Sequence, residues 1–113
     1  MSKIAVILSG CGVYDGSEVH EAVLTLLYLS QANQEVTVMA PNINQMHVIN
    51  HANGEVMNER RNVLVESARI ARGPVLNIAD ANPIDYDAVI IPGGFGAAKN
   101  LCDFAVKGAE SSI

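Results

Sequence analysis

Positive charge is scarce in this chain: seven Lys and Arg stand against twelve Asp and Glu, for a net charge of −5, and the basic residues are dispersed along the sequence. A protein that neutralises a phosphate backbone gathers such residues on one face, so nucleic acid is not expected as a partner. Long hydrophobic runs are also missing. None approaches the roughly 20 residues that span a bilayer, so no membrane partner is expected. The first apolar run opens at Ile4, which leaves no room for a signal peptide, and the expected location is cytoplasmic. Cysteine is limited to Cys11 and Cys102. They lie far apart, each beside a glycine turn, and read as free thiols in a reducing compartment, a bridge between them being the less favoured alternative. Aromatics make up only 4% of the 113 residues, but half of the chain is hydrophobic. That is enough for one domain with a buried core.

The apolar run Ile4-Ala5-Val6-Ile7-Leu8 has the length and uniformity of a parallel strand covered on both faces. After a glycine turn, Asp15 or Ser17 can cap a helix whose apolar positions Val19, Ala22, Val23, Leu26 and Leu29 follow helical spacing. Leu24 and Leu27 add a second apolar side, so more than one face of this helix is expected to be buried. Glu35 to Ala40 is β-branched and alternating and is stopped by Pro41, giving a second strand and a right-handed βαβ unit. Asn53-Gly54 between the short runs Met46–Asn50 and Glu55–Met57 signals a small hairpin outside the main sheet. Asn62 to Arg72 is helical by pattern, with Gly73-Pro74 as its stop. Asn77 to Asp87 reads as a polar connector. Ala88 to Ile91 is a third, fully buried strand feeding Pro92-Gly93-Gly94, with a helix starting near Ala97. Three parallel strands are a fraction of a doubly wound sheet, and residues 107–113 neither finish a helix nor begin a strand. The expectation is therefore that 1–113 is the N-terminal part of a larger α/β domain, with the third strand open along one side.

Two strand-to-helix glycine turns, Ser9–Ser17 and Pro92–Ala97, open on the same rim of such a sheet, and function is sought there. The first loop is not a dinucleotide fingerprint: its glycines at 10, 12 and 16 miss the required spacing by one residue, and Met39-Ala40-Pro41 stands where an acidic residue is needed. Glu18, directly after the loop, either complements the helix dipole or is drawn into a pocket where burial raises its pKa and lets it donate or shuttle a proton. Gly93 and Gly94 form a tight turn and can also present main-chain N–H groups to a developing oxyanion. Cys11 between two glycines is a small packing residue or, with its thiol pKa lowered by local N–H groups, a nucleophile near Glu18 and His20. His20 reads as a helix-surface or subunit-contact residue, and Cys102 as a buried helix residue. His47 and His51 share a face only if their segment is helical, and no metal site is expected.

Together these residues resemble the PfpI-like superfamily of the class I glutamine amidotransferase-like fold, and within it the enhancing lycopene biosynthesis branch (ElbB, sigma cross-reacting protein). The likeness is carried by Ile7–Gly16, Glu18–Leu24, Val48–His51, Arg61–Leu64 and Pro92–Leu101, and it covers essentially all 113 residues. It implies a flavodoxin-like doubly wound parallel sheet, commonly a homodimer, in which an elbow cysteine is the nucleophile, a glutamate of the first helix hydrogen-bonds it and the glycine turn supplies an oxyanion N–H. Glu18 and Gly94 match the last two roles; the elbow cysteine follows a further strand, beyond Ile113. The implied activity is glyoxalase III-like, a cofactor-independent lyase reaction converting glyoxal-type 2-oxoaldehydes to 2-hydroxy acids, with fragment 1–113 inactive alone. Two other classes remain open at this point. One is a non-catalytic, redox- or stress-responsive interaction protein linked to isoprenoid metabolism; the other is an anion or nucleotide binder using the glycine rim.

Overall fold

In a computed structural model, which describes residues 1–102, the chain runs β1 (Lys3–Ile7), α1 (Val19–Gln31), β2 (Glu35–Ala40), β3 (Ile49–Asn50), β4 (Glu55–Val56), α2 (Val63–Ala71), β5 (Leu76–Asn77), two short 3-10 turns, β6 (Ala88–Ile90) and α3 (Gly96–Lys99). The stretch 107–113 lies outside the described residues. The four strands β5-β2-β1-β6 form one parallel sheet, so the fold is α/β and doubly wound, as the sequence leads one to expect. β3 and β4 form the separate antiparallel hairpin signalled by Asn53-Gly54.

Strand alternation decides where the core sits. Ile4 and Val6 of β1 stand beside Val36 and Val38 of β2, and Ile90 of β6 continues the row. Ala22, Leu26 and Leu29 of α1 and Ile70 of α2 pack on that face, with Leu8 closing its upper end. On the opposite face Ile7 and Ile91 join Pro41, Ile78, Ala97, Leu101 and Cys102 around an apolar cavity of about 450 Å³.

Four expectations are corrected. The sheet has a fourth described strand, β5, placed by the pairing of Leu76 with Met39 and Asn77 with Ala40; two residues are too few for alternation to show in sequence. α1 buries one stripe rather than several, since Leu24, Leu27 and Tyr28 are 62%, 51% and 69% exposed among the described residues. Its cap is neither Asp15 nor Ser17, which are buried in the loop, but Glu18. α2 runs as expected between Asn62 and Arg72, its C-cap Arg72 taking the left-handed conformation (φ 57°) and donating its N–H to Ala68 O. β6 edges the described sheet, as expected, but it is not the fully buried strand its composition suggests, because no described strand covers its outer side and Val89 and Ile91 stay half open.

Candidate active site

β1 leads through α1 to β2 on one flank, while β6 lies on the other, so the strand order reverses between β1 and β6. The crevice at the carboxyl ends of two such strands is where open parallel sheets hold ligands. Both glycine turns end there. The first braces itself, with Gly16 N–H donating to Gly12 O (2.7 Å), Gly12 N–H to Ser17 O (2.9 Å) and Ser9 N–H to Ser17 Oγ (2.9 Å). The second docks on it: Phe95 N–H donates to Val13 O, Gly96 N–H to Gly16 O, and Glu18 N–H to Gly93 O at 2.7 Å.

Gly94 is where the two turns come closest. Its φ is +119°, and a Cβ there would meet Gly16 O and, at 2.5 Å, the Glu18 nitrogen. Only glycine meets both demands. Among the described residues the Gly94 N–H reaches no protein acceptor, whereas the Gly93 N–H donates to Glu21 Oε1 at 3.2 Å. The two glycines named from sequence are thus not equivalent: Gly94 offers a donor, and that of Gly93 is occupied.

Glu18 is the N-cap of α1. Its carboxylate accepts the N–H groups of His20 (2.9 Å) and Glu21 (3.2 Å) and lies 3.1 Å from His20 Nδ1, with 21% of the side chain exposed. The N–H of His20, above all, holds the carboxyl below the ordinary carboxylate value; the His20 ring and the Glu21 N–H act in the same direction. The expectation that burial raises this pKa is corrected, because donors to the charged form outweigh desolvation. Glu18 is therefore a carboxylate, which takes up a proton before it can give one. His20 is exposed, as expected.

Cys11 is half-buried and free. Burial pushes its thiol up, the carboxylates of Glu66 and Asp15 push the same way, and Arg69 opposes them. The anticipated lowering does not occur: no hydrogen bond joins Cys11 to Glu18 or His20 among the described residues, since those two bond each other. Glu66 is buried and accepts from Arg61 (3.3 Å) and Arg69 (3.2 Å). Removing its charge with Glu66→Gln leaves Arg69 beside the thiol, which lowers the Cys11 pKa. Iodoacetamide alkylation of Cys11 near neutral pH is then expected to rise about two- to tenfold, following the thiolate fraction. An unchanged rate would show that Glu66 does not govern this thiol. Cys102 is half-buried just beyond α3, not within it, its Sγ near Ala97 O and Ala98 O.

Sequence reading missed the residues that hold the loop. Asp15 Oδ2 accepts Ile49 N–H (2.8 Å), Tyr14 N–H donates to His51 Nε2 (3.1 Å), and His51 Nδ1 lies 3.0 Å from Ile49 O. These bonds tie the β3–β4 hairpin to the first glycine turn. Asn100 is a second tie: its Nδ2 donates to Ser9 O (2.8 Å) and Asp15 O (2.9 Å), and its Oδ1 accepts Met46 N–H (2.9 Å). Asn100→Ala leaves buried partners without mates and is expected to cost about 2–4 kcal/mol, read as a lower urea midpoint at unchanged slope. His47 and His51 sit in non-helical chain and share no helical face. No group of three His, Cys, Asp or Glu gathers to hold a metal among the described residues.

Comparison with known proteins agrees with this fold. The chain is 54% identical to the ES1 protein homolog, mitochondrial, of Rattus norvegicus and 52% identical to glutamine amidotransferase-like class 1 domain-containing protein 3, mitochondrial, of Homo sapiens, over 99% of its own length and 42% of theirs. It is 38% identical to the ES1 protein, mitochondrial, of Danio rerio, across 43% of that protein. A crystal structure described as an isoprenoid biosynthesis protein with an amidotransferase-like domain, from Ehrlichia chaffeensis, superposes with a TM-score of 0.85 at 49% identity, over 88% of this chain and 46% of that one. The chain thus spans less than half the length of these relatives. No family model matches it. The cytoplasmic location expected from sequence is overturned by the relatives, which are named as mitochondrial.

Proposed function

The chain has the class I glutamine amidotransferase-like fold, and on that premise we propose that it is the N-terminal part of an enzyme of the enhancing lycopene biosynthesis branch that converts 2-oxoaldehydes to 2-hydroxy acids without a cofactor. One observation carries the reading: the Glu18 N–H donates to Gly93 O and Gly94 packs on the Glu18 backbone, so the residue that bears the carboxylate is joined at the sheet's switch point to a turn whose Gly94 N–H meets no acceptor among the described residues.

In the proposed reaction a thiolate, from the elbow cysteine that the family likeness puts beyond this chain, bonds to the aldehyde carbon, and the oxygen takes up a proton to give a hemithioacetal. The Glu18 carboxylate removes the hydrogen of that carbon as a proton, the electron pair moving toward the neighbouring carbonyl. It then returns the proton to the neighbouring carbon, while the hydroxyl proton of the first carbon passes to the neighbour's oxygen. One carbon is oxidised and its neighbour reduced, leaving the thioester of a 2-hydroxy acid. Water cleaves the thioester, so the sum is 2-oxoaldehyde plus water with no outside oxidant. The Gly94 N–H stabilises oxygen as negative charge builds there. The lowered Glu18 pKa keeps the carboxylate ionised at neutral pH, as a base must be, at the cost of basicity. The redox-sensing alternative has less support, because Cys11, the rim thiol described, is held toward its protonated form.

The test is incubation of the full-length protein with glyoxal or methylglyoxal, with no nucleotide, metal or free thiol added. Formation of glycolate or lactate is expected, and no product at high enzyme concentration would remove the proposal.

A further inference from the structure

Glu21 stands three residues after the Glu18 cap, in the first turn of α1, and the reaction above leaves it without a role. Its Oε1 accepts the Gly93 N–H at 3.2 Å, and a Cβ added at Gly93 would lie 2.6 Å from that oxygen. The Gly93 carbonyl is held by the Glu18 N–H at 2.7 Å. Both polar groups of Gly93 are thus tied to the start of α1, and the next N–H, that of Gly94, is left without a protein acceptor among the described residues. The cation on the adjoining helix, Lys99, is directed elsewhere: its Nζ donates to Tyr14 O and lies over the Phe95 ring. The Glu21 carboxylate therefore stands on this turn, and the Glu18 carboxylate, one helix turn away in the same cap, accepts the Glu21 N–H with the exposed His20 ring beside it.

We infer that Glu21 is a positioning and selecting residue of the site. By holding the Gly93 N–H it sets the diglycine turn so that Gly94 offers its N–H to the substrate oxygen. By its charge, next to that of Glu18, it favours uncharged carbonyl compounds over anionic 2-oxo acids of the same shape. This rests on the reading that 2-oxoaldehydes are the substrates.

Glutamine and alanine separate the two effects. Glu21→Gln keeps an oxygen for the Gly93 N–H but removes the charge; Glu21→Ala removes both. With full-length protein and methylglyoxal, E21A is expected to lower kcat by about tenfold or more with a smaller change in KM, and E21Q to restore most of that loss, because a misplaced oxyanion donor weakens the transition state more than the ground state. Pyruvate, the carboxylate analogue of methylglyoxal, is expected to inhibit E21Q about three- to tenfold more tightly than the parent enzyme, the like charge having gone. Hydrogen exchange of the Gly93 amide supplies a readout independent of turnover: protection in the parent protein and E21Q, lost in E21A. Equal kcat in E21A and the parent, or equal Gly93 protection in all three, overturns the positioning role; unchanged pyruvate inhibition in E21Q overturns the selecting role. If the parent protein turns over no aldehyde, the function reading fails, and the Gly93 amide then decides the positioning role by itself.

Discussion

Glu18→Gln is expected to lower kcat on a 2-oxoaldehyde by about 10²–10⁴-fold, the range for loss of a positioned proton-transfer group, with a much smaller change in KM. The carboxylate uses Oε1 for the His20 N–H and Oε2 for the Glu21 N–H, so glutamine keeps one of the two cap bonds while removing the charge and basicity. The pH dependence follows from the direction of the pKa. A base works while ionised, and a carboxyl held below its ordinary value stays ionised as the medium is acidified. Activity limited by Glu18 should therefore persist below the usual carboxylate range, fall only as pH passes the lowered pKa, and lose this limb in the glutamine variant. Lactate formation across pH by parent and variant, with circular dichroism to confirm the fold, makes the comparison; full activity in the variant would remove Glu18 from the chemistry.

Gly94→Ala is expected to be the most damaging single methyl in the rim. The added carbon meets Gly16 O and the Glu18 nitrogen, and φ is +119°. Overpacking costs about 1–3 kcal/mol, and forcing a non-glycine residue into that conformation about 1–3 more. Any shift that relieves the clash displaces the Gly94 N–H, so the surviving folded protein should lose a further factor of about 10²–10³ in kcat. Gly73→Ala is the matched control, since nothing lies within 4 Å of its added carbon; it should change stability by no more than about 0.5 kcal/mol. Urea unfolding and turnover of both variants decide this, and a stable, active Gly94→Ala protein would contradict the packing described.

What was legible in the sequence follows the range of the interactions. β1 and β2 announce themselves by composition, and the Asn53-Gly54 hairpin by its turn chemistry, because those signals are local. β5 does not, since its two residues are extended only through pairing with Met39 and Ala40. Glu18 and Gly94 could be named from their positions beside two glycine turns, but the sign of the Glu18 pKa could not. It depends on which N–H groups the carboxylate reaches, and the helix begins later than Asp15 or Ser17 would suggest. Glu18 is not among the Ser, Thr, Asp and Asn residues that commonly cap helices, so that start carried no local signal. Asn100 carried none: its partners Ser9, Asp15 and Met46 are 54 to 91 positions away.

The juxtaposition of the Glu18 carboxylate and the Gly94 N–H is tested most directly by a crystal structure of the full-length protein with glycolate bound. The expected result is a glycolate oxygen at about 2.7–3.1 Å from Gly94 N, with the Glu18 carboxylate against the same ligand. Glycolate bound away from this turn, with Glu18 directed into bulk solvent, would contradict the account.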